Sequence, residues 1–154
     1  MKTFAPIGLT LVSLFALSSC CDDPDPLSYR YIDFGVSDST SGNWLFGSPY
    51  IFPPDSFKML HEDLTEADWD IVNETIRLYS FADIATDPTL FSEEICKLYY
   101  LHFDQANIDT VQVCFQGKEK KCEDIFAYLK VTYNGKKVFE DKNNSYGAYA
   151  AVAR

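Results

Sequence analysis

Residues 125–140 read IFAYLKVTYNGKKVFE, and this stretch decides the fold class. Its first half alternates side chains with the period of two that marks a strand with one buried face. The residues on that face are Ile125, Ala127, Leu129, Val131 and Tyr133. Asn134-Gly135 follows and predicts a type I′ turn, which needs positive φ at both central residues. We therefore expect a β-hairpin in which residues 136–140 return beside residues 125–133.

The segments on the N-terminal side of this hairpin continue the same pattern. Residues 97–103 are rich in tyrosine, leucine and phenylalanine, and residues 110–116 place Val111, Val113 and Phe115 on one face. The turns that join these strands are expected at residues 105–107, 117–121 and 134–135. Four strands should therefore form an antiparallel meander.

Nearer the N terminus the pattern is less regular. Residues 29–36 carry Ile32 and Phe34 on one side, which predicts a first strand. Residues 43–54 combine Trp44 and other aromatic side chains with glycine and proline, so we expect a loop packed onto the domain. The alternative is an exposed aromatic loop that serves as a binding platform for a sugar or a partner.

Residues 66–79 form the best helix candidate in the chain. Thr65 fits the N-cap position, and an apolar stripe follows at helical spacing. The stripe would comprise Trp69, Val72, Ile76 and Tyr79. A competing interpretation ends the helix near Asn73 and makes residues 75–82 a strand. We predict a mainly β, antiparallel β-sandwich-like domain with one short helix, and an α+β fold is the alternative.

The composition suits one folded, acidic domain. Of the 154 residues, 47% are hydrophobic and 16% aromatic, which is enough for one core, and the net charge is −10. A chain this acidic is repelled by phosphate backbones, so we expect no nucleic-acid partner. Lysines gather in the last quarter of the chain, where we expect them to guard strand edges.

The N-terminal residues resemble the signal peptide of a bacterial lipoprotein. Lys2 supplies a positive start, residues 7–17 are largely apolar, and LSSC at residues 17–20 is similar to a lipobox. An apolar run this short does not span a bilayer, which takes about 20 residues. The resemblance implies cleavage between Ser19 and Cys20 and attachment of acyl chains such as palmitate to Cys20. We therefore expect the chain to be held to a membrane through this lipid anchor.

The residues directly after Cys20 are acidic and interrupted by proline. Asp22, Asp23 and Asp25 lie in this tether. They are similar to the surface-export signal of lipoproteins in Bacteroidetes-type bacteria, which implies a position on the outer face of the outer membrane. The alternative is a solvated linker on a lipoprotein of the periplasmic face.

Three cysteines remain for the fold once Cys20 and Cys21 are assigned to the anchor and tether. Cys114 and Cys122 flank a short lysine-rich loop, so a disulfide between them is the expected pairing in an oxidising compartment. The alternative is that Cys96, Cys114 and Cys122 are buried thiols. The cysteines form no CxxC pair and no ligand cluster with the two histidines, so we predict no metal site and no cofactor.

The sequence carries no recognisable catalytic motif. No serine lies in a Gly-x-Ser-x-Gly elbow, and Cys96 and His102 would be about 20 Å apart along one strand. One acidic cluster would suit a small carbohydrate-active hydrolase, although solvated surface acids are the alternative interpretation. Its members are Asp55, Glu62, Asp63, Glu66, Asp68 and Asp70. We therefore expect no catalytic residue and no enzyme activity.

Residues 109–136 resemble part of small Bacteroidetes lipoproteins that have no assigned function, and the resemblance implies a β-rich domain. The expected organisation is a signal peptide (1–19), an acidic tether (20–28), one globular domain (29–142) and a C-terminal tail (143–154). The expected function is a non-catalytic envelope or cell-surface domain that binds a protein or a glycan. The alternatives are the hydrolase and a structural or adhesin-like subunit whose exposed strand pairs with another chain.

Overall fold

A computed structural model describes residues 30–48, 51–83, 87–120, 123–144 and 147–154. These residues form two β-sheets and one short 3₁₀ turn at Pro54–Ser56. The strands are β1 Tyr31–Ser37, β2 Lys58–His61, β3 Trp69–Val72, β4 Thr75–Leu78, β5 Ile95–His102, β6 Ile108–Lys120, β7 Glu123–Tyr133, β8 Lys136–Asp141 and β9 Gly147–Ala153. The predicted mainly β, sandwich-like class is confirmed.

The larger sheet has the strand order β2-β5-β6-β7-β8, and all its neighbours are antiparallel. The predicted four-strand meander is therefore confirmed as β5 to β8. The hairpin turn between β7 and β8 has φ of 45° at Asn134 and 75° at Gly135. Positive φ at both positions is what a type I′ turn requires.

The loop predicted at residues 117–121 is wrong over most of its length. β6 continues to Lys120, and its last residues pair with the start of β7. The pairing shifts between Gln116 and Gly117, where β7 carries one extra residue at Ala127. This bulge reverses the alternation, so that Phe126 rather than Ala127 joins the core.

The smaller sheet has the strand order β3-β4-β1-β9. β1 pairs antiparallel with β4 on one side and parallel with β9 on the other. The pairing with β9 extends over the whole of β1, from Tyr31 opposite Gly147 to Ser37 opposite Ala153. The predicted first strand is thus an inner strand of this sheet.

The two sheets enclose one core of aromatic and branched side chains. β1 contributes Ile32, Phe34 and Val36, and β6 contributes Val111 and Val113, all of them fully buried. The rings of Phe81, Phe115 and Phe126 pack together, with Phe81 5.4 Å from each of the other two by ring centroid. Aromatic pairs at this separation add to the stability that burial provides.

The helix predicted over residues 66–79 is wrong, because this segment forms the hairpin of β3 and β4. Trp69 lies opposite Leu78 and Ile71 opposite Ile76, so these four side chains face the core. The turn places Asn73 at φ 50° and Glu74 at φ 68°, which a helix interior does not contain. The competing interpretation, with a break near Asn73 and a strand from residue 75, is the one confirmed.

The C-terminal boundary of the domain at residue 142 is also wrong. Gly147–Ala153 is β9, and Ala148, Ala150 and Val152 point into the core. Residues 147–153 therefore belong to the domain rather than to a tail. Within the part of the chain that the structure describes, no helix is long and apolar enough to cross a membrane.

Candidate functional site

The solvent side of the smaller sheet carries a group of aromatic side chains. Tyr31 and Tyr149 are 37% and 55% exposed, and Trp44 and Tyr79 are partly exposed beside them. We call Tyr31, Trp44, Tyr79 and Tyr149 the aromatic face. Exposed aromatic groups of this kind mark ligand-binding or partner-binding surfaces more often than solitary apolar residues do.

Trp44 reaches this face because the chain folds back along β1. After the turn at residues 38–43, Trp44 pairs with Ser37 through an isolated antiparallel bridge, and the Leu45 amide donates to the Val36 carbonyl at 2.8 Å. Leu45 is buried, which leaves Trp44 on the outer side by the alternation of a strand. The core residue Leu45 thus fixes which way the indole points.

Gly35 provides the space that the indole occupies. A Cβ atom at this position would lie 2.6 Å from Cζ3 of Trp44 and 3.0 Å from the hydroxyl of Tyr149. A glycine in the interior of a strand often marks a place where another group approaches the backbone closely. At Gly35 the side chains of Trp44 and Tyr149 both approach in this way. Gly35 therefore brings Trp44 and Tyr149 to the same point on the sheet.

An ion pair lies next to the aromatic rings. Asp33 accepts hydrogen bonds from Nε and Nη2 of Arg77 at 2.7 and 2.9 Å, in the two-pronged geometry of an arginine–carboxylate pair. The guanidinium also stacks on the ring of Tyr31, with Cζ 3.8 Å from the centroid. Hydrogen bonding to Asp33 raises the pKa of Arg77. The pair is neutral as a whole and holds Tyr31 in place.

A small concave pocket adjoins Trp44. It is lined by Gly42, Asn43, Trp44, Gly47, Ser48 and Glu74 and has a volume of about 190 Å³. The side chains of Asn43, Ser48 and Glu74 offer hydrogen-bond donors and acceptors at the edge of the indole. The site therefore combines flat aromatic surface with polar groups that approach from the side.

The predicted acidic cluster is divided between two other depressions. Glu62 and Asp63 line one, and Asp55, Glu66 and Asp70 line the second together with the partly exposed Trp69. Asp68 accepts a hydrogen bond from Ser80 and lines neither depression.

Asp63 is held in its ionised form. It accepts hydrogen bonds from the Thr65 hydroxyl at 2.6 Å and the Thr65 amide at 3.0 Å, which lower its pKa. A general acid of a glycosidase needs the opposite shift.

The predicted disulfide between Cys114 and Cys122 is wrong, because Cys114 is bonded to Cys96. These two cysteines lie directly opposite each other in the pairing of β5 with β6, and their Cα atoms are 4.0 Å apart. The position of Cys122 lies outside the described residues. The bond crosses the outer side of the larger sheet, which also carries Leu98, Tyr100, Thr110, Gln112, Gln116, Tyr128, Lys130 and Thr132. We call this side the polar face.

The disulfide also bears on metal binding. Among the described residues, Glu94, Cys96 and Cys114 are the one set of three His, Cys, Asp or Glu side chains that lie close enough to share an ion. Both sulfurs are committed to the disulfide, so they are not available as thiolate ligands. The predicted anchor and signal residues, Ser19, Cys20, Asp22, Asp23 and Asp25, lie outside the described residues.

The sequence predicts Trp44 in a packed loop and Gly35 in a strand, but it does not predict that the two residues meet. The glycine within a strand pattern was the available signal of close approach.

Comparisons with known protein families, with curated proteins and with solved structures find no match to this chain. The class of protein is therefore defined by geometry: a β-sandwich-like domain with an aromatic face on its smaller sheet.

Proposed function

We propose that this chain is a lipid-anchored, non-catalytic envelope protein whose aromatic face binds a neutral glycan. The observation that carries the proposal is the convergence of Trp44 and Tyr149 over Gly35, next to a polar pocket. None of the four residues of the aromatic face belongs to the buried core, so the packing of the core does not explain why their side chains converge.

The chemistry of a sugar ring fits both parts of this site. A pyranose presents a face of C–H groups and an edge of hydroxyls, so it binds to an aromatic ring with hydrogen-bonding groups beside it. Trp44 supplies the ring, while Asn43, Ser48 and Glu74 line the adjacent pocket. A protein partner is less well matched to this face, because protein–protein interfaces have a continuous apolar centre and here an ion pair lies among the aromatic rings.

The charge of the site favours a neutral sugar. Arg77 is compensated by Asp33, and Glu74 adds a negative charge at the pocket. The whole chain carries a net charge of −10, which repels anionic saccharides at low ionic strength.

The acidic residues give less support to the hydrolase alternative. Retaining and inverting glycosidases both need two carboxyl groups facing one sugar, and one of them must stay protonated. In the depression lined by Glu62 and Asp63, the pKa of Asp63 is lowered, which is the opposite of what a general acid needs. The other depression brings Asp55, Glu66 and Asp70 together beside Trp69 and is the place where the hydrolase alternative would have to lie. A binding role for the domain follows more directly from these positions than a catalytic one.

The test of glycan binding is calorimetric titration with neutral hexasaccharides of glucose, mannose and xylose, and with an anionic galacturonate hexasaccharide as contrast. We expect one neutral sugar to bind the native protein, and Tyr149→Ala to weaken its binding at least about tenfold. Tyr100→Ala, the matched substitution on the polar face, should leave the affinity unchanged. The proposal fails if no neutral sugar binds, or if the two variants lose affinity equally.

The anchor and its membrane face need a separate experiment on intact cells. In the proposed form, Cys20→Ser abolishes incorporation of labelled palmitate and releases the protein from the membrane fraction. Replacement of Asp22, Asp23 and Asp25 by alanine should protect the domain from added protease if these residues direct surface export. Cleavage of the native protein only after lysis would instead assign it to the periplasmic face.

A further inference from the structure

A notch at the edge of the larger sheet lies apart from the aromatic face. β2 pairs with β5 only from Lys58 opposite His102 to His61 opposite Tyr99, whereas β5 begins at Ile95. Among the described residues, the first half of β5 therefore has β6 on one side and no strand on the other. A depression of about 530 Å³ occupies the position that a longer β2 would fill. Its lining includes Cys96, Lys97 and Leu98.

The chain leaves β2 at His61 through a tight turn. The Leu64 amide donates to the His61 carbonyl at 2.9 Å, and the His61 amide donates to the Thr65 carbonyl at 2.8 Å. The returning residues cover the far side of β2, where the Ala67 amide donates to the Met59 carbonyl. The turn therefore protects the edge of β2, and within the described parts of the chain it leaves the edge of β5 at residues 95–98 without a partner strand.

The register shows which main-chain groups face the notch. Cys96 and Cys114 have their Cα atoms 4.0 Å apart, the short spacing of an antiparallel pair that exchanges no hydrogen bonds. The amide and carbonyl of Cys96 therefore point away from β6, and by the period of two those of Leu98 do as well. Within the described chain, no main-chain hydrogen bond joins either residue to residues 62–65.

The rim of the notch is acidic. Glu62 and Asp63 lie at one end, and the hydrogen bonds from Thr65 keep Asp63 ionised. The one lysine of the lining, Lys97, is paired with Asp87 at 2.6 Å. An incoming segment with positive side chains would therefore be attracted, and an acidic segment would be repelled.

We propose that this notch accepts an extended, cationic segment of a partner protein, which adds to β5 as a strand in line with β2. The amides and carbonyls of Cys96 and Leu98 would supply the main-chain hydrogen bonds, and Glu62 and Asp63 would select lysine or arginine. Strand addition at an open sheet edge is a common mode of peptide recognition. The interaction is independent of the glycan site, which lies on the other sheet.

The test uses the full chain and a synthetic peptide of alternating lysine and valine. Hydrogen exchange is followed at single amides. We expect the peptide to slow exchange of the Leu98 and Cys96 amides at least about tenfold. Leu98→Pro removes an amide donor that faces the notch and keeps the pairing with β6. In this variant the peptide should no longer protect the Cys96 amide from exchange.

Charge and main-chain controls keep the proposal open to refutation even if the proline variant fails to fold. Glu62→Lys should weaken peptide binding several-fold, whereas Glu119→Lys, outside the notch, should not. A peptide methylated on its main-chain nitrogens should not bind. Equal binding of the methylated peptide, protection at β3 or β8 instead of β5, or no binding at all would overturn the proposal. Self-association of the chain through the same amides would assign the notch to a second copy and overturn it as well.

Discussion

The two outer faces of the sandwich are built on the same kind of sheet and differ in what they present. The aromatic face places Trp44 and Tyr149 over Gly35, where any larger residue would displace them. The polar face presents Gln112, Thr132 and the disulfide between Cys96 and Cys114. The fold needs only one apolar side of each sheet, so the composition of the outer side is free to serve another purpose. This difference between the faces is the reason why we place the proposed glycan site on the aromatic face and not on the polar face.

Removal of the disulfide should have the largest effect, and we expect it on stability rather than on glycan affinity. The bond joins residues 18 apart in sequence, and closing a loop of this size stabilises a fold by about 3 kcal/mol. We expect the double variant Cys96→Ser, Cys114→Ser to lose about this much unfolding free energy in urea. Glycan affinity should not change under native conditions.

The control is Gln112→Ser, which changes the same face without breaking a covalent bond. A parallel fall in affinity and stability of the cysteine variant would mean that the two faces are coupled. Mass spectrometry of unreduced fragments should recover Cys96 linked to Cys114, and recovery of Cys114 linked to Cys122 would contradict the assignment.

The next effect concerns the core between the faces, where Tyr133 donates a hydrogen bond to the buried Asp109 at 2.6 Å. Burial and this hydrogen bond raise the pKa of Tyr133, and burial raises the pKa of Tyr99. The unfolded chain ionises its tyrosines near pH 10, before the folded one can. The stability that these groups contribute is therefore complete below about pH 10 and is lost as the pH rises further.

Tyr133→Phe checks this account. At neutral pH it should cost about 2 kcal/mol, because a buried carboxylate loses a donor. Above about pH 10 the gap to the native protein should narrow, because the variant lacks the group whose ionisation favours unfolding. Urea titrations at a series of pH values measure both. A constant gap across the series would show that Tyr133 ionises alike in both states.

Gly35→Ala should give the smallest change in free energy and the sharpest distinction between the faces. The added methyl would meet the far end of the Trp44 side chain, which can rotate off the sheet. The backbone at Gly35 needs no positive φ, so we expect stability to change by less than about 1 kcal/mol. Glycan affinity should fall about tenfold, and the fluorescence of the displaced indole should shift to longer wavelength.

Thr132→Ala, on β7 of the polar face, serves as the matched control and should leave both stability and glycan affinity near their native values. An unchanged affinity in Gly35→Ala would remove Trp44 from the site. The comparison between the faces would then rest on Tyr149 alone.

The strands of the meander could be predicted because their alternation is local. Val111, Val113 and Phe115 face the core as the sequence indicated. The hairpin of β3 and β4 was mistaken for a helix, since Trp69 and Ile76 face the core in both interpretations. The turn at Asn73 and Glu74, which decides between them, has no glycine to reveal it.

The features that the sequence did not reveal depend on distant pairings. Cys96 meets Cys114 only through the register of β5 with β6, and β9 forms only because β1 offers it an edge. Its alanine-rich sequence has little strand propensity of its own. The site over Gly35 combines residues from β1, the following loop and β9, so no local sequence pattern predicts it.

The most direct test of the central claim is a nuclear magnetic resonance titration of the labelled protein with the neutral hexasaccharide that binds most tightly. We predict that the largest shift changes occur at the Gly35 amide, the Trp44 indole and the Tyr149 ring. Residues of the polar face, such as Gln112 and Thr132, should show no change. Changes centred on the polar face, or none with any neutral saccharide, would contradict the account.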